Sequence, residues 1–392
     1  MVKLGEVSSF QNGFAFKSTL FKNEGEPIIR ISNIQDEKLS TNDLVYFNPK
    51  DYKVNFDQYR IFPNDILIAM SGGTTGKLGI NQDDRVYYQN QRVGVIREKT
   101  DVLCRQYLYY FLQTKTEESL KIAAGAAQPN LSTAQINNFD LPLPPLEEQH
   151  RIVSILDASF EKIDALKKNA EENLKNTKAL FQQVLAQELK PKEGWVEKKL
   201  GEVGDFKNGM NFAHNESGTE IHMLGVGDFG DLFFINDVEK LPILSFNKLP
   251  SEDYLLKDED IVFVRSNGNK QLVGRSLVVY PKGVLTTFSG FCIRFRKRID
   301  DINIIFLTYY LKTKDTRKKL FGNGANISNL NQKMLQDLLF VYPSLEEQHR
   351  IVRTLDTLSE KCRRLEQVAQ QTIRECDALK QSILRQAFSG EL

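Results

Sequence analysis

Side chains able to read the edges of nucleic-acid bases gather in a few turns of this 392-residue chain. Gln89, Asn90, Gln91 and Arg92 stand together in its first half; Arg265, Asn267, Asn269, Lys270, Gln271 and Arg275 do so in its second. In the major groove Arg suits guanine, and Asn or Gln suits adenine. Gln11-Asn12 and Lys207-Asn208 each follow a Phe and precede a Gly, adding a matched polar pair to each half. Arg294, Arg296 and Arg298 alternate on an expected strand, and Lys312, Lys314, Arg317, Lys318 and Lys319 follow. Converging, these cations would form a basic face that neutralises phosphates. Polar loops share this composition, so a solvated charged surface is the plainer account of any single residue.

Catalytic signatures are scarce. Gly72-Gly-Thr-Thr-Gly-Lys77 approaches a phosphate-binding loop, but Ser71 stands where the first Gly belongs and Leu78 where Ser or Thr belongs. A glycine-rich β-turn fits better, with Ser71, Thr74, Thr75 and Lys77 as candidate phosphate or base contacts. Phe321-Gly-Asn-Gly324 resembles part of a methyl-donor loop, yet its counterpart Ala123-Ala-Gly-Ala126 drops the pattern. An Asn/Asp-Pro-Pro-aromatic tetrapeptide is missing, Pro144-Pro145 being followed by Leu146. The four cysteines form no CxxC pair and the four histidines no metal-ligand cluster. His150 and His349 occupy matched positions that capping or packing explains. No apolar leader or run of eighteen apolar residues is present, so a reduced, cytoplasmic compartment and no membrane are expected. With a net charge of +1, any nucleic-acid surface must be local.

What positions these turns is a duplication. Leu146-Glu-Glu-Gln-His-Arg-Ile-Val153 recurs residue for residue as Leu345–Val352, 199 positions later. Lys3-Leu-Gly-Glu-Val7 recurs as Lys199–Val203, Asp65-Ile and Ser71-Gly as Asp260-Ile and Ser266-Asn-Gly268, and Gly125-Ala with Asn130-Leu as Gly324-Ala with Asn329-Leu. Between these landmarks the halves differ freely, so similar frames carry dissimilar surfaces.

Each copy of the eight-residue motif opens a long amphipathic helix. Pro144 and Pro145 mark the first start, and Ser344-Leu-Glu-Glu347 gives the second a capping-box pattern. Stepping by four and three places Ile152, Leu156, Ser159, Ile163, Leu166, Ala170, Asn173, Thr177, Leu180 and Val184 on one seam. The second seam holds Ile351, Leu355, Leu358, Cys362, Leu365, Ala369, Thr372, Cys376, Leu379 and Ile383, its two cysteines serving as small core hydrophobes. The first helix delivers the chain into the second globular segment and the second helix leaves it. Because domain termini lie close together, the two stripes are expected to pair antiparallel, with heads at opposite ends and a pseudo-two-fold between them. Parallel pairing in a homodimer is the alternative. The expected fold class is α+β: mixed α/β domains over residues 1–145 and 191–343, with helices over 146–190 and 344–392.

The pattern Leu141-Pro-Leu-Pro-Pro-Leu-Glu-Glu-Gln…Ile152-Val…Leu156-Asp157, repeated at Tyr342-Pro-Ser-Leu-Glu-Glu-Gln…Ile351-Val…Leu355-Asp356, resembles the specificity subunit of type I restriction–modification systems. So do the ending Ile383-Leu-Arg-Gln-Ala-Phe-Ser-Gly-Glu-Leu392 and the Ser71–Lys77 turn. The resemblance spans essentially the whole chain. It implies two target-recognition domains, each reading half of a split double-stranded DNA site, joined by helices that set the spacing. It also implies two modification subunits carrying S-adenosylmethionine and restriction subunits carrying ATP and Mg, with no cofactor or metal on this chain. The second head carries Ser266-Asn-Gly-Asn-Lys-Gln271 where the first carries Ser71–Lys77, which implies two different half-sites. A stand-alone methyltransferase or nuclease, and a protein-only coiled-coil adaptor, are the competing readings. Methyl transfer by the purified chain would mark the first, and lack of DNA affinity even with partners the second.

Overall fold

The computed structural model describes residues 1–35, 37–99, 101–124, 130–211, 218–230, 233–321 and 329–392. The repeated loops at 125–129 and 322–328, and all but Phe321 of the methyl-donor-like stretch, lie outside them. The chain divides into two compact units, residues 1–171 with 370–392, and residues 172–369.

In the first unit the six-stranded main sheet includes β1 (Ser8–Asn12), β2 (Ile66–Ala69), β3 (Leu78–Ile80) and β4 (Val93–Glu98), which run in the order β1-β4-β2-β3 with each of these neighbours antiparallel. β2 is apolar at every position, as a strand covered on both faces must be. One face packs against α1 (Arg105–Thr114), whose Tyr107, Leu108 and Phe111 join Ile66, Ile68 and Ile96 in the main core. The other face meets Ile29, Ile61 and Tyr87 of a smaller four-stranded sheet. That sheet is backed by an aromatic cluster of Phe14, Phe16, Phe47, Tyr52 and Phe56, with Phe16 and Phe56 stacked at 5.6 Å. The short helix α2 (Thr116–Ala124) follows α1.

The second unit repeats this frame with β5 (Gly204–Asn208), β6 (Asp260–Val264), β7 (Ser276–Val279) and β8 (Cys292–Lys297), ordered β5-β8-β6-β7. α4 (Ile304–Leu311) and α5 (Lys314–Phe321) take the places of α1 and α2. Among the described residues its smaller sheet has three strands, one fewer than in the first unit.

The long helices are α3 (Leu146–Glu188, 43 residues) and α6 (Leu345–Ser389, 45 residues). Within the first unit, Lys167 pairs with Asp377 at 2.7 Å and Lys380 with Asp164 at 2.5 Å. Within the second, Arg350 pairs with Glu188 at 2.8 Å, and Cys362 Sγ lies 3.9 Å from the Thr177 carbonyl. In each unit one helix therefore descends as the other rises, the antiparallel arrangement that the connectivity predicts. Cys362 and Cys376 are buried on the seam as small apolar residues.

The seam itself needs a correction. Ile152, Leu156, Ile163, Ile351 and Leu355 are buried and Ile383 half-buried, as expected. Leu166, Leu180, Leu365 and Leu379, however, are 47–56% exposed. The seam runs through Phe160, Lys167, Leu174 and Phe181 instead, and through Glu366, Ile373 and Lys380 opposite. Every second position of the apolar template thus falls one residue early. Lysine stems cover apolar surface while their ammonium groups reach carboxylates, so Lys167 and Lys380 fill positions that an apolar count assigns to leucines.

The motif at each helix start is explained by docking. Gln149 and Gln348 are fully buried. Gln348 Nε2 donates to the Asp301 and Pro343 carbonyls, both at 2.9 Å, and its Oε1 accepts from Asn303 N at 2.8 Å. Gln149 repeats all three bonds with Val102, Pro144 and Cys104. The Tyr110 hydroxyl donates to Asp157, as the Tyr309 hydroxyl does to Asp356 at 2.7 Å. The capping box at Ser344 is only half made: Glu347 N reaches Ser344 Oγ at 3.5 Å, while the Glu347 carboxylate turns to Arg350. His150 and His349 are exposed, so packing does not account for them.

Candidate nucleic-acid interface

In the first unit, one end of the main sheet gathers the close of β1, the β2–β3 turn and the segment entering β4. Met70 N donates to Arg92 O at 2.9 Å and Leu131 N to Met70 O at 2.7 Å, while Ser71 bridges Asn130. Arg92 Nη1 donates to Asn130 Oδ1 at 3.2 Å, and Asn12 Nδ2 to Thr133 Oγ1 at 2.9 Å. A Cβ on Gly13 would lie 2.0 Å from Asn90 O, so glycine is required where the chain turns beside Asn90. This end brings Asn12, Ser71, Asn90, Gln91 and Arg92 together. Gln91 and Arg92 are exposed, and Gln11 bonds the neighbouring Asn12 carbonyl.

The rest of the turn does other work. Thr75 is fully buried and its hydroxyl donates to Gly72 O at 2.7 Å, so it holds the turn's shape. Thr74 Oγ1 is buried with no hydrogen bond among the described residues. Lys77 is exposed, but it lines a cavity of about 390 Å³ with Gln113, Gln381 and Arg385. A strand follows Lys77, where a phosphate-binding loop needs a helix. The β-turn reading of this stretch holds.

In the second unit the same sheet end is differently furnished. Arg265 takes the place of Met70: its N–H donates to Phe291 O at 2.7 Å and its guanidinium to Gly290 O at 3.3 Å. Asn267 Oδ1 accepts from Asn269 N at 2.7 Å, and Asn269 Oδ1 accepts from Gln271 N at 3.0 Å. Both asparagines spend their carbonyl oxygens on the turn, with Asn269 and Lys270 exposed at its tip. Lys207 pairs with Asp253 at 3.1 Å and lies over the Tyr254 ring, while Asn208 Oδ1 is buried without a partner among the described residues. Phe291, 58% exposed, sits where the first unit has Arg92. Counting polar residues overlooks it; aligning the halves by the 199-residue offset finds it.

The three strand arginines of the expected basic face do not converge on a free surface. Arg294 is only 4% exposed, and its Nε has no hydrogen bond among the described residues. Burial lowers its pKa, aided by the neighbouring Arg296. Its counterpart, Val95, occupies the same inter-sheet core in the first unit. Arg296 is clamped by Asp260 through two bonds of 2.8 and 2.7 Å and by Leu255 O at 2.9 Å. Arg97 makes the same clamp with Asp65 and the Arg60 carbonyl, so this arginine belongs to the duplicated frame. Arg298 turns to Gly201 O and Asp205. Arg275, Lys312 and Arg317 line a separate cavity of about 180 Å³, where Arg275 donates to Gly230 O at 2.6 Å.

Comparison with known proteins agrees with this duplicated layout. The family model for the type I restriction modification DNA specificity domain matches residues 1–176 and again 192–375. The type I restriction enzyme StySPI specificity subunit of Salmonella potsdam is 30% identical, the match covering 93% of this chain and 82% of that protein. The EcoKI specificity subunit of Escherichia coli K12 is 26% identical over 98% of this chain and 87% of its own length. Among solved structures, a chain from work on complex assembly and conformational transition of the type I R-M system superposes with a TM-score of 0.79 at 22% identity, covering 100% of this chain and 97% of that one. The HsdS subunit from Thermoanaerobacter tengcongensis gives 0.57 at 23% identity, covering 100% and 96%. With two matched domains and relatives aligned along nearly its full length, the chain belongs to the type I restriction–modification DNA specificity family.

Proposed function

We propose that this chain recognises a bipartite, asymmetric double-stranded DNA site, one unit per half-site, and directs partner subunits to it. One observation carries the reading: a single frame, built twice with the same strand order and the same Asp–Arg clamp, presents different side chains at the same sheet end. Asn90, Gln91 and Arg92 stand there in one unit; Arg265, Asn267, Asn269, Lys270 and Phe291 stand there in the other. Phosphate contacts would fix each unit in register while these side chains meet base edges. Linking the units makes the second binding event intramolecular.

Chemistry is assigned to partners: two modification subunits with S-adenosylmethionine, and restriction subunits with ATP and Mg. Burial or structural ion pairs account for the strongly perturbed groups among the described residues, in keeping with that division. Burial pushes the Cys292 thiol up to about 12 and raises the Tyr107 and Tyr309 hydroxyls, all three within cores. The exposed leucines of α3 and α6 (Leu166, Leu180, Leu365 and Leu379) offer apolar surface for subunits to cover. The test is methyl transfer in vitro. The chain with its neighbouring modification subunit should methylate DNA carrying the site, and neither protein alone should do so. Transfer by the isolated chain would overturn the assignment.

A further inference from the structure

In the second unit, α5 and the closing turns of α3 enclose a groove of about 780 Å³. Lys178, Lys190, Lys314, Lys318 and Lys319 line it, and all five are exposed. None of them has an ion-pair partner among the described residues. Asp315 is the sole carboxylate on the described lining. Five unneutralised ammonium groups around one concavity repel one another, a cost that an anionic occupant would relieve.

The first unit shows what the frame looks like without this feature. At the 199-residue offset its equivalents are Asp377, Ser389, Lys115, Ser119 and Leu120. Only Lys115 is basic, and Glu118 neutralises it at 2.8 Å. Asp377 has the opposite charge and is itself paired with Lys167. Neither the fold nor the duplicated frame therefore demands the lysines.

We infer that this groove binds the DNA phosphate backbone, supplying sequence-independent affinity from the second unit alone. The inference rests on the DNA-recognition reading above. All five cations are lysines, compact point charges on flexible stems that hold phosphate oxygens without demanding one planar geometry, as sequence-independent contact with a backbone requires. Arg265, Asn267, Asn269 and Lys270 do not line the groove, so backbone holding and base reading fall to different side chains of the unit. Lys312 and Arg317, adjacent in sequence, belong to the smaller Arg275 cavity and not to this groove.

The test uses the full chain assembled with its modification subunits and a fluorescent duplex of about 40 base pairs, titrated across KCl concentrations. Each phosphate neutralised contributes about 0.9 to the slope of log K against log[salt]. Changing all five to Gln (K178Q, K190Q, K314Q, K318Q, K319Q) is expected to reduce that slope by about 3 to 4.5. K248Q, a single exposed charge elsewhere in the unit, should lower it by less than about 1. Circular dichroism of the five-fold variant establishes that it is folded. An unchanged slope in a folded variant would overturn the inference, and loss of a subunit on size exclusion alongside it would assign the groove to a protein partner. If the parent complex fails to bind duplex, the DNA-recognition reading itself falls.

Discussion

Gln348 Oε1 accepts a 2.8 Å hydrogen bond from the backbone N–H of Asn303, tying the start of α6 to the loop that leads into α4. Gln149 does the same for Cys104 at the start of α3. Each glutamine serves three backbone groups from a fully buried position. Gln348→Ala would strand one N–H and two carbonyls, at about 1–3 kcal/mol for each unsatisfied buried group before relaxation. We predict a loss of about 2–4 kcal/mol in denaturant unfolding. A loss below about 0.5 kcal/mol would show that this lock is dispensable.

Arg294 gives a prediction of opposite sign. A buried guanidinium whose Nε has no hydrogen bond among the described residues pays desolvation with little return, and the first unit places Val95 at the same point. Arg294→Val is expected to stabilise the protein by about 1–2 kcal/mol. A destabilised variant in thermal unfolding would mean that the charge is needed in the frame.

Burial raises the Tyr309 hydroxyl, and its bond to Asp356 raises it further. Unfolded tyrosine ionises near about 10, below the folded value. The stability linked to the neutral hydroxyl is therefore full below about pH 10 and is lost as the pH rises beyond it. Tyr309→Phe should unfold less steeply with pH above about 10 than the parent, while being less stable at neutral pH. Identical alkaline slopes would remove Tyr309 from the account.

Much of this architecture is legible in the chain. The duplicated motif, the strand landmarks at Asp65 and Asp260 and the antiparallel pairing all follow from repetition and connectivity. The seam departs from the apolar template by half a phase because Leu166 and Leu379 look more like core than Lys167 and Lys380, whose pairing with Asp377 and Asp164 depends on a residue about two hundred positions away. Arg296 resembles a free ligand contact in the sequence for the same reason: the Asp260 that clamps it lies on a different strand. Alignment with Arg97 and Asp65 holds that information, but composition does not. Phe291 was invisible because exposure of an aromatic has no local signature.

Spacing offers a fourth prediction. Inserting one heptad into α3 after Glu171 and one into α6 after Ala369 preserves the antiparallel register in both units. The tolerated spacer between half-sites should change while each half-site stays the same. Altered half-sites in the methylated motif would contradict a ruler role for the helices.

The central claim is that this chain alone chooses where its partners methylate. It is tested most directly by genome-wide methylation sequencing of a host expressing the chain with its neighbouring modification subunit, against a deletion of the chain. The account predicts a split motif with two unlike half-sites at a fixed spacing, lost on deletion. A methylation pattern unchanged by the deletion, in a host where the complex is shown to be active, would contradict it.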